Sequence, residues 1–187
     1  INESVVGLDR LSSGQMIVMS ETDLREFDYV INCSYSHVDD IISMVDPAHK
    51  SIAKLEYCAE LILNDNGVLG NTGWTFMDGP FCSIMPYTRE TYSLTSVTYT
   101  PCAHVEDETL SKLMLAQLSK FIDPEIVRQL SVVDIIRTMK AVPSRSEISD
   151  SRSVRFVHHH GMISILSGKL SSIYDCDAVL ERLDEYV

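Results

Sequence analysis

The sequence contains no CxxC pair, no GxGxxG and no GxSxG. Without GxGxxG these residues hold no dinucleotide-binding βαβ turn, because only closely spaced glycines let the backbone approach a pyrophosphate. Without GxSxG there is no serine nucleophile elbow. No apolar run reaches the roughly 18 residues of a membrane span, and no signal peptide opens the chain. Basic residues are scarce: 15 Lys and Arg stand against 27 Asp and Glu, a formal net charge of −12. Such a surface repels phosphate backbones and anionic membranes. Neither nucleic acid nor a membrane is therefore an expected partner. The densest basic stretch, Arg145 to Arg155, is interrupted by Glu147 and Asp150.

What is present is ordinary globular composition. Of 187 residues, 45% are hydrophobic and 22% charged, enough to bury a core without staples. The five cysteines, Cys33, Cys58, Cys82, Cys102 and Cys176, are odd in number and widely spread. That pattern predicts buried free thiols in a reducing, cytoplasmic compartment rather than a disulfide framework. The chain opens on strand-like sequence without Met, which we read as a cut or incomplete start, with processing as the alternative.

Glu3 to Asp9 and Gln15 to Ser20 read as a hairpin turned at Ser12-Ser13-Gly14. Phe27 to Cys33 is a short apolar run expected to form one buried strand. Val38 to Val45 reads as a short helical turn closed by Pro47. Apolar residues recur every second position from Leu55 to Leu63, so Ser51 to Asn64 reads as a long strand, with a helix as the rival reading because Ala59, Glu60 and Leu61 favour one. Trp74 to Met77, Cys82 to Pro86 and Tyr92 to Tyr99 continue as an antiparallel meander. Glu106 to Phe121 has the helical period and an acidic start. Asp123, followed by Pro124, caps a second helix. Val132 to Val142, Ser153 to His158 and Met162 to Leu166 read as strands, and Ser171 to Val187 as a closing helix. The order is that of an α+β protein.

Three places could carry chemistry. The strand Met162 to Leu166 runs into Ser167-Gly168-Lys169, and a helix starting there would offer N–H groups to an anion. His158-His159-His160 looks like a metal cluster. Adjacent strand residues point to opposite faces, so only His158 and His160 are expected to share a metal. No further Cys or His follows at useful spacing, so no metal is expected. A cysteine hydrolase using Cys33 or Cys82 has no supporting motif.

Several segments resemble, in order, the D-amino-acid oxidase and glycine oxidase superfamily. Phe27-Asp28-Tyr29-Val30-Ile31-Asn32-Cys33-Ser34 looks like the "yDxVInaxG" strand of its FAD domain. Thr75 to Pro86 resembles the segment where the substrate sheet passes a bulky stretch, and Tyr92 to Val97 is similar to the strand after it. Ser149-Asp150-Ser151-Arg152 resembles the late "xDxRP" loop, with Ser153 in the proline's place. Gly161 to Lys169 looks like the "gxxxxxgGK" strand that returns beside the flavin.

The resemblance implies a fold and a job. The fold is an antiparallel or mixed substrate-domain sheet with flanking helices, plus remnant strands and a C-terminal helix of an FAD-binding layer. Residues 1–46 would be the remnant, 47–158 a substrate-binding-like domain, and 159–187 the return to the FAD layer. The implied activity is dehydrogenation of a small amine or hydroxy acid by hydride transfer to FAD, this chain supplying mainly the substrate side. Arg145 and Arg152 would clamp an anionic substrate. Tyr87 and Tyr99, with Tyr57, would shape its pocket. Ser34, Gly168 and Lys169 would lie along the flavin. The alternative is a stand-alone α+β module that binds a small ligand or a protein without catalysis. A fragment would leave a strand near residue 5 or 30 uncovered, and two copies pairing through that edge would form a homodimer. The flavoprotein reading requires the stretches around Val30 and Ile165 to lie side by side.

Overall fold

The computed structural model describes residues 3–77, 79–102, 104–144, 154–159, 161–167 and 173–181, with the backbone alone at 173 and 178–180. Two compact units are formed: Ile1–Leu55 with Ala141–Val187, and Glu56–Lys140.

In the first unit, β1 (Val5–Arg10) and β2 (Met16–Ser20) form the expected hairpin, with Arg10 opposite Met16. Gly14 turns it at φ +96°, a backbone region that side chains with a Cβ rarely adopt. A third antiparallel strand, β3 (Leu24–Phe27), pairs Met16 with Phe27. The stretch from Phe27 to Cys33 is therefore not one buried strand. It breaks at Asp28-Tyr29, and β4 (Val30–Asn32) joins a different sheet. Phe27 on β3 is 42% exposed. An apolar run shows extended backbone but not that its two halves pair with different partners.

A helix, α1 (Val38–Val45), follows. Its buried Val38 and Ile42 pack in one core with Leu8, Met16, Met162 and Leu166. Asp39, in its first turn, is a hub. Its carboxylate accepts from Ser51 Oγ at 2.6 Å, Ile52 N at 3.0 Å, Ala53 N at 3.2 Å and His49 Nε2 at 3.1 Å. Burial opposes its charge, but these donors outweigh burial and hold the carboxyl below its usual range. Later in the chain come β10 (Arg155–His159), β11 (Met162–Leu166) and α4 (Ile173–Leu180). The second sheet of this unit has the order β10-β11-β4.

The second unit is a sheet covered by helices. The chain enters it along β5 (Ala53–Asn64) and leaves along β9 (Ser131–Pro143). Between them lie β6 (Trp74–Phe76), β7 (Cys82–Pro86), β8 (Thr91–Ser96), α2 (Asp107–Leu118) and α3 (Pro124–Val127). The sheet order is β6-β7-β8-β5-β9, which contains the predicted meander. Along β8 every second residue, Tyr92, Leu94 and Ser96, is buried, the period-two pattern of a strand with one covered face. Leu110, Met114 and Leu118 of α2 share a core with Leu61, Ile84 and Leu94. At full burial each such side chain gains about 1.5–3 kcal/mol from leaving water. Gln117 ties helix to meander: its Oε1 accepts from Ser96 Oγ, and its Nε2 donates to Pro80 O at 2.5 Å. Asp123 caps α3 as expected, accepting from Glu125 N at 2.8 Å.

Candidate functional site

The two distant stretches do meet. β11 and β4 run parallel, with Ile163 beside Ile31 and Ser164 beside Asn32. Val30 N–H donates to Gly161 O at 3.1 Å, so the turn before β11 anchors the start of β4. Gly161 makes that turn at φ +91° and passes close to Met16.

Asn32 organises the far end. Its Nδ2 donates to Val38 O and to Ser164 Oγ, both at 3.0 Å. Its Oδ1 accepts from Ser34 N at 3.2 Å and Ser34 Oγ at 2.6 Å. One buried amide thus joins β4, β11, the loop after β4 and the start of α1. In parallel sheets ligands bind in the crevice outside the carboxyl ends of the strands. The carboxyl ends of β4 and β11 lie side by side, with Ser34 just beyond β4. Gly168 and Lys169, which follow β11, lie outside the described residues, so their expected role along a flavin has no geometry here.

A pyrophosphate needs glycine-lined N–H groups or a helix N-terminus free of negative charge. The first turn of α1 carries Asp39 and Asp40, which complement the helix dipole themselves and repel an anion. No glycine fingerprint exists in the sequence. The described residues therefore make no cradle for the phosphates of a dinucleotide.

Of the predicted substrate residues, only the tyrosines are among the described ones. Arg145 and Arg152 lie outside the described residues. Tyr87 is 55% exposed at the β7–β8 turn, where its N–H donates to Thr91 O at 2.8 Å. Tyr99 is half-buried against the core of the second unit. Tyr57 lies under the Arg137 guanidinium, 5.8 Å from its carbon to the ring centroid. Arg137, a cation that sequence reasoning passed over, also pairs with Asp107. That pairing, with the Tyr57 ring beside it, raises its already high pKa and neutralises it as an anion clamp.

The cysteines correct one expectation. Cys58, Cys82 and Cys102 are buried, but Cys33 is exposed and Cys176 half-buried. Cys33 follows the last residue of β4, where the chain leaves the sheet. Desolvation, with a smaller contribution from Cys176, pushes the Cys33 thiol up, and burial pushes Cys82 up. Neither is an activated nucleophile. Alkylation of the native chain should label Cys33 first and leave Cys58, Cys82 and Cys102 unlabelled until unfolding. Its rate at Cys33 should keep rising with pH beyond the ordinary thiol range. A rate already at plateau near neutral pH would revive the hydrolase reading.

No family model matches the sequence, and no curated protein matches it. Solved structures do match in fold. Glycine oxidase from Geobacillus kaustophilus superimposes with a TM-score of 0.70 at 14% identity, covering 99% of this chain and 49% of that one. Iminodiacetate oxidase from Chelativorans sp. BNC1 gives 0.62 at 12%, covering 90% and 44%. An FAD-dependent oxidoreductase from Pseudomonas aeruginosa gives 0.60 at 11%, covering 98% and 53%. The chain thus spans about half the length of these structures. Among the described residues no helix is long and apolar enough to cross a membrane. The mixed sheets, the parallel β4–β11 pair and these superpositions together give the chain an α+β fold shared with about half the length of these oxidoreductases.

Proposed function

We propose that this chain is the substrate-side part of a flavin-dependent oxidoreductase that dehydrogenates a small amine or hydroxy acid. The observation that carries the reading is the parallel β4–β11 pair with its polar carboxyl end, within a fold shared with FAD-dependent oxidases. FAD, when bound, supplies the hydride acceptor. The chain's own residues orient the substrate and wall off water. Ser34 and Asn32 hold the strand ends rigid, and Gly168 and Lys169 are assigned to the flavin side. Arg145 and Arg152 are assigned to a substrate carboxylate, Tyr87 and Tyr99 to the pocket. The grip on the phosphates comes from a glycine-rich segment outside these residues.

The alternative of a stand-alone binding module predicts one closed core and no bare strand edge. The described residues hold two separate cores. They also leave β4 at the end of its sheet, with Ile31 41% exposed. In a longer protein that edge is where the glycine-rich segment would pair, and in the chain by itself it is where a homodimer would form.

The test is reconstitution. Joined to a glycine-rich βαβ segment ahead of β1, the chain should purify yellow with a flavin absorbance band. By itself it should bind added FAD no tighter than about 100 μM, about −5.5 kcal/mol. In the completed protein, Arg145→Met or Arg152→Met should raise KM for an anionic substrate roughly 10–100-fold, the loss of a charge-assisted pair. A colourless completed protein that takes up no FAD overturns the proposal.

A further inference from the structure

His159 does not behave as a member of a strand-end triplet. His158 is exposed on β10, while the His159 side chain is only 12% exposed and turns inward to meet residues from far upstream. Its ring stands perpendicular to that of His49, with centroids 5.3 Å apart. Its Nδ1 lies 3.6 Å from Asp46 Oδ2. One ligand atom from each of Asp46, His49 and His159 falls within 4.8 Å of the others.

Each of the two upstream groups is already aimed. Asp46 ends α1, and its Oδ1 accepts from Ala48 N at 3.1 Å while its backbone oxygen accepts from His49 N at 3.0 Å. The turn therefore fixes the carboxylate with Oδ2 toward His159. His49 is 8% exposed at its side chain, and its Nε2 faces Asp39 Oδ1. A carboxylate only accepts, so in neutral His49 the Nε2 carries the proton and Nδ1 keeps the lone pair. A histidine whose second nitrogen donates to a carboxylate, itself held by further donors, is the usual support of a metal-bound imidazole.

We propose that Asp46, His49 and His159 form a binding site for a divalent first-row transition cation, zinc foremost. The donor set of two imidazoles and one carboxylate suits zinc, with water completing four-coordination. Edges of a tetrahedron with bonds of about 2.0 Å are roughly 3.3 Å, close to the separation of Asp46 and His159. Asp46 is 36% exposed at its side chain, so a cation reaches the cluster and its fourth position faces solvent. With Asp39 behind His49, two carboxylates balance the double charge. The site would tie the turn after α1 to the end of β10 within the first unit. It stands independently of the flavin reading.

The rival is two histidine–carboxylate pairs that bind no cation. The chelator-stripped 187-residue chain should be titrated with zinc chloride by calorimetry and with cobalt(II) by visible absorption. We expect one equivalent bound tighter than about 10 μM, with the strong visible bands of low-coordinate cobalt. His49→Gln and His159→Gln should each weaken binding at least 30-fold, and Asp39→Asn about 10–100-fold. His158→Gln should leave it unchanged. Should a variant fail to fold by circular dichroism, carbethoxylation of the unmutated chain decides: zinc should protect His49 and His159 but not His158 or His37. Absent saturable binding, binding retained in folded His49→Gln and His159→Gln, or protection of other histidines instead overturns the site.

Discussion

Leu94→Ala should destabilise the second unit by about 3–5 kcal/mol, the upper range for a fully buried leucine. Leu94 is fully buried in the middle of β8, opposite Leu61 of β5 and Ile84 of β7. Its side chain belongs to the core that α2 covers, so truncation loses transfer free energy and leaves a cavity between strand and helix. The only tryptophan in the sequence, Trp74, lies on β6 and packs against the same core. Its fluorescence therefore reports urea unfolding of this unit. The midpoint should fall with an unchanged slope, whereas Val97→Ala, at a side chain 52% exposed, should shift it by less than about 0.5 kcal/mol. A loss under about 1.5 kcal/mol for Leu94→Ala would mean that the core does not close around β8.

Asn32→Ala should cost the first unit about 2–4 kcal/mol. The amide is 4% exposed and makes the four hydrogen bonds that join β4 to β11, Ser34 and α1. Alanine leaves the Val38 carbonyl and the fully buried Ser164 hydroxyl without that partner, at about 1–3 kcal/mol for each unsatisfied group. Trp74 does not report on this unit, so hydrogen exchange at the amides of β4 and β11 is the readout. Their exchange should accelerate at least 30-fold, as 1.4 kcal/mol corresponds to a factor of ten. Asn32→Asp should do no better, since it removes the Nδ2 donor and buries a charge. Unchanged protection would show that strand pairing, not the amide, holds the carboxyl end of the parallel pair.

Much of the fold was legible because it is local. The β1–β2 hairpin follows from its Gly14 turn, β8 from strict alternation, α2 from its apolar period and α3 from the Asp123-Pro124 cap. The approach of Val30 to Ile165 was legible only through the order of segments resembling a known family. No local pattern states which strand a short apolar run will choose, and so Phe27 and Val30 were assigned to one strand when they belong to two sheets.

The candidate sites divide in the same way. The sequence by itself determined the missing glycine fingerprint, the acidic surface and the absence of a nucleophile motif, since composition and spacing are properties of the chain alone. Tertiary structure decided that Arg137 is neutralised by Asp107, that Cys33 is exposed, and that His159 faces His49 from 110 positions away. The physical reason is that ion pairing, burial and metal geometry depend on distance in space. The sequence encodes that distance only through the packing of strands and helices around a shared core.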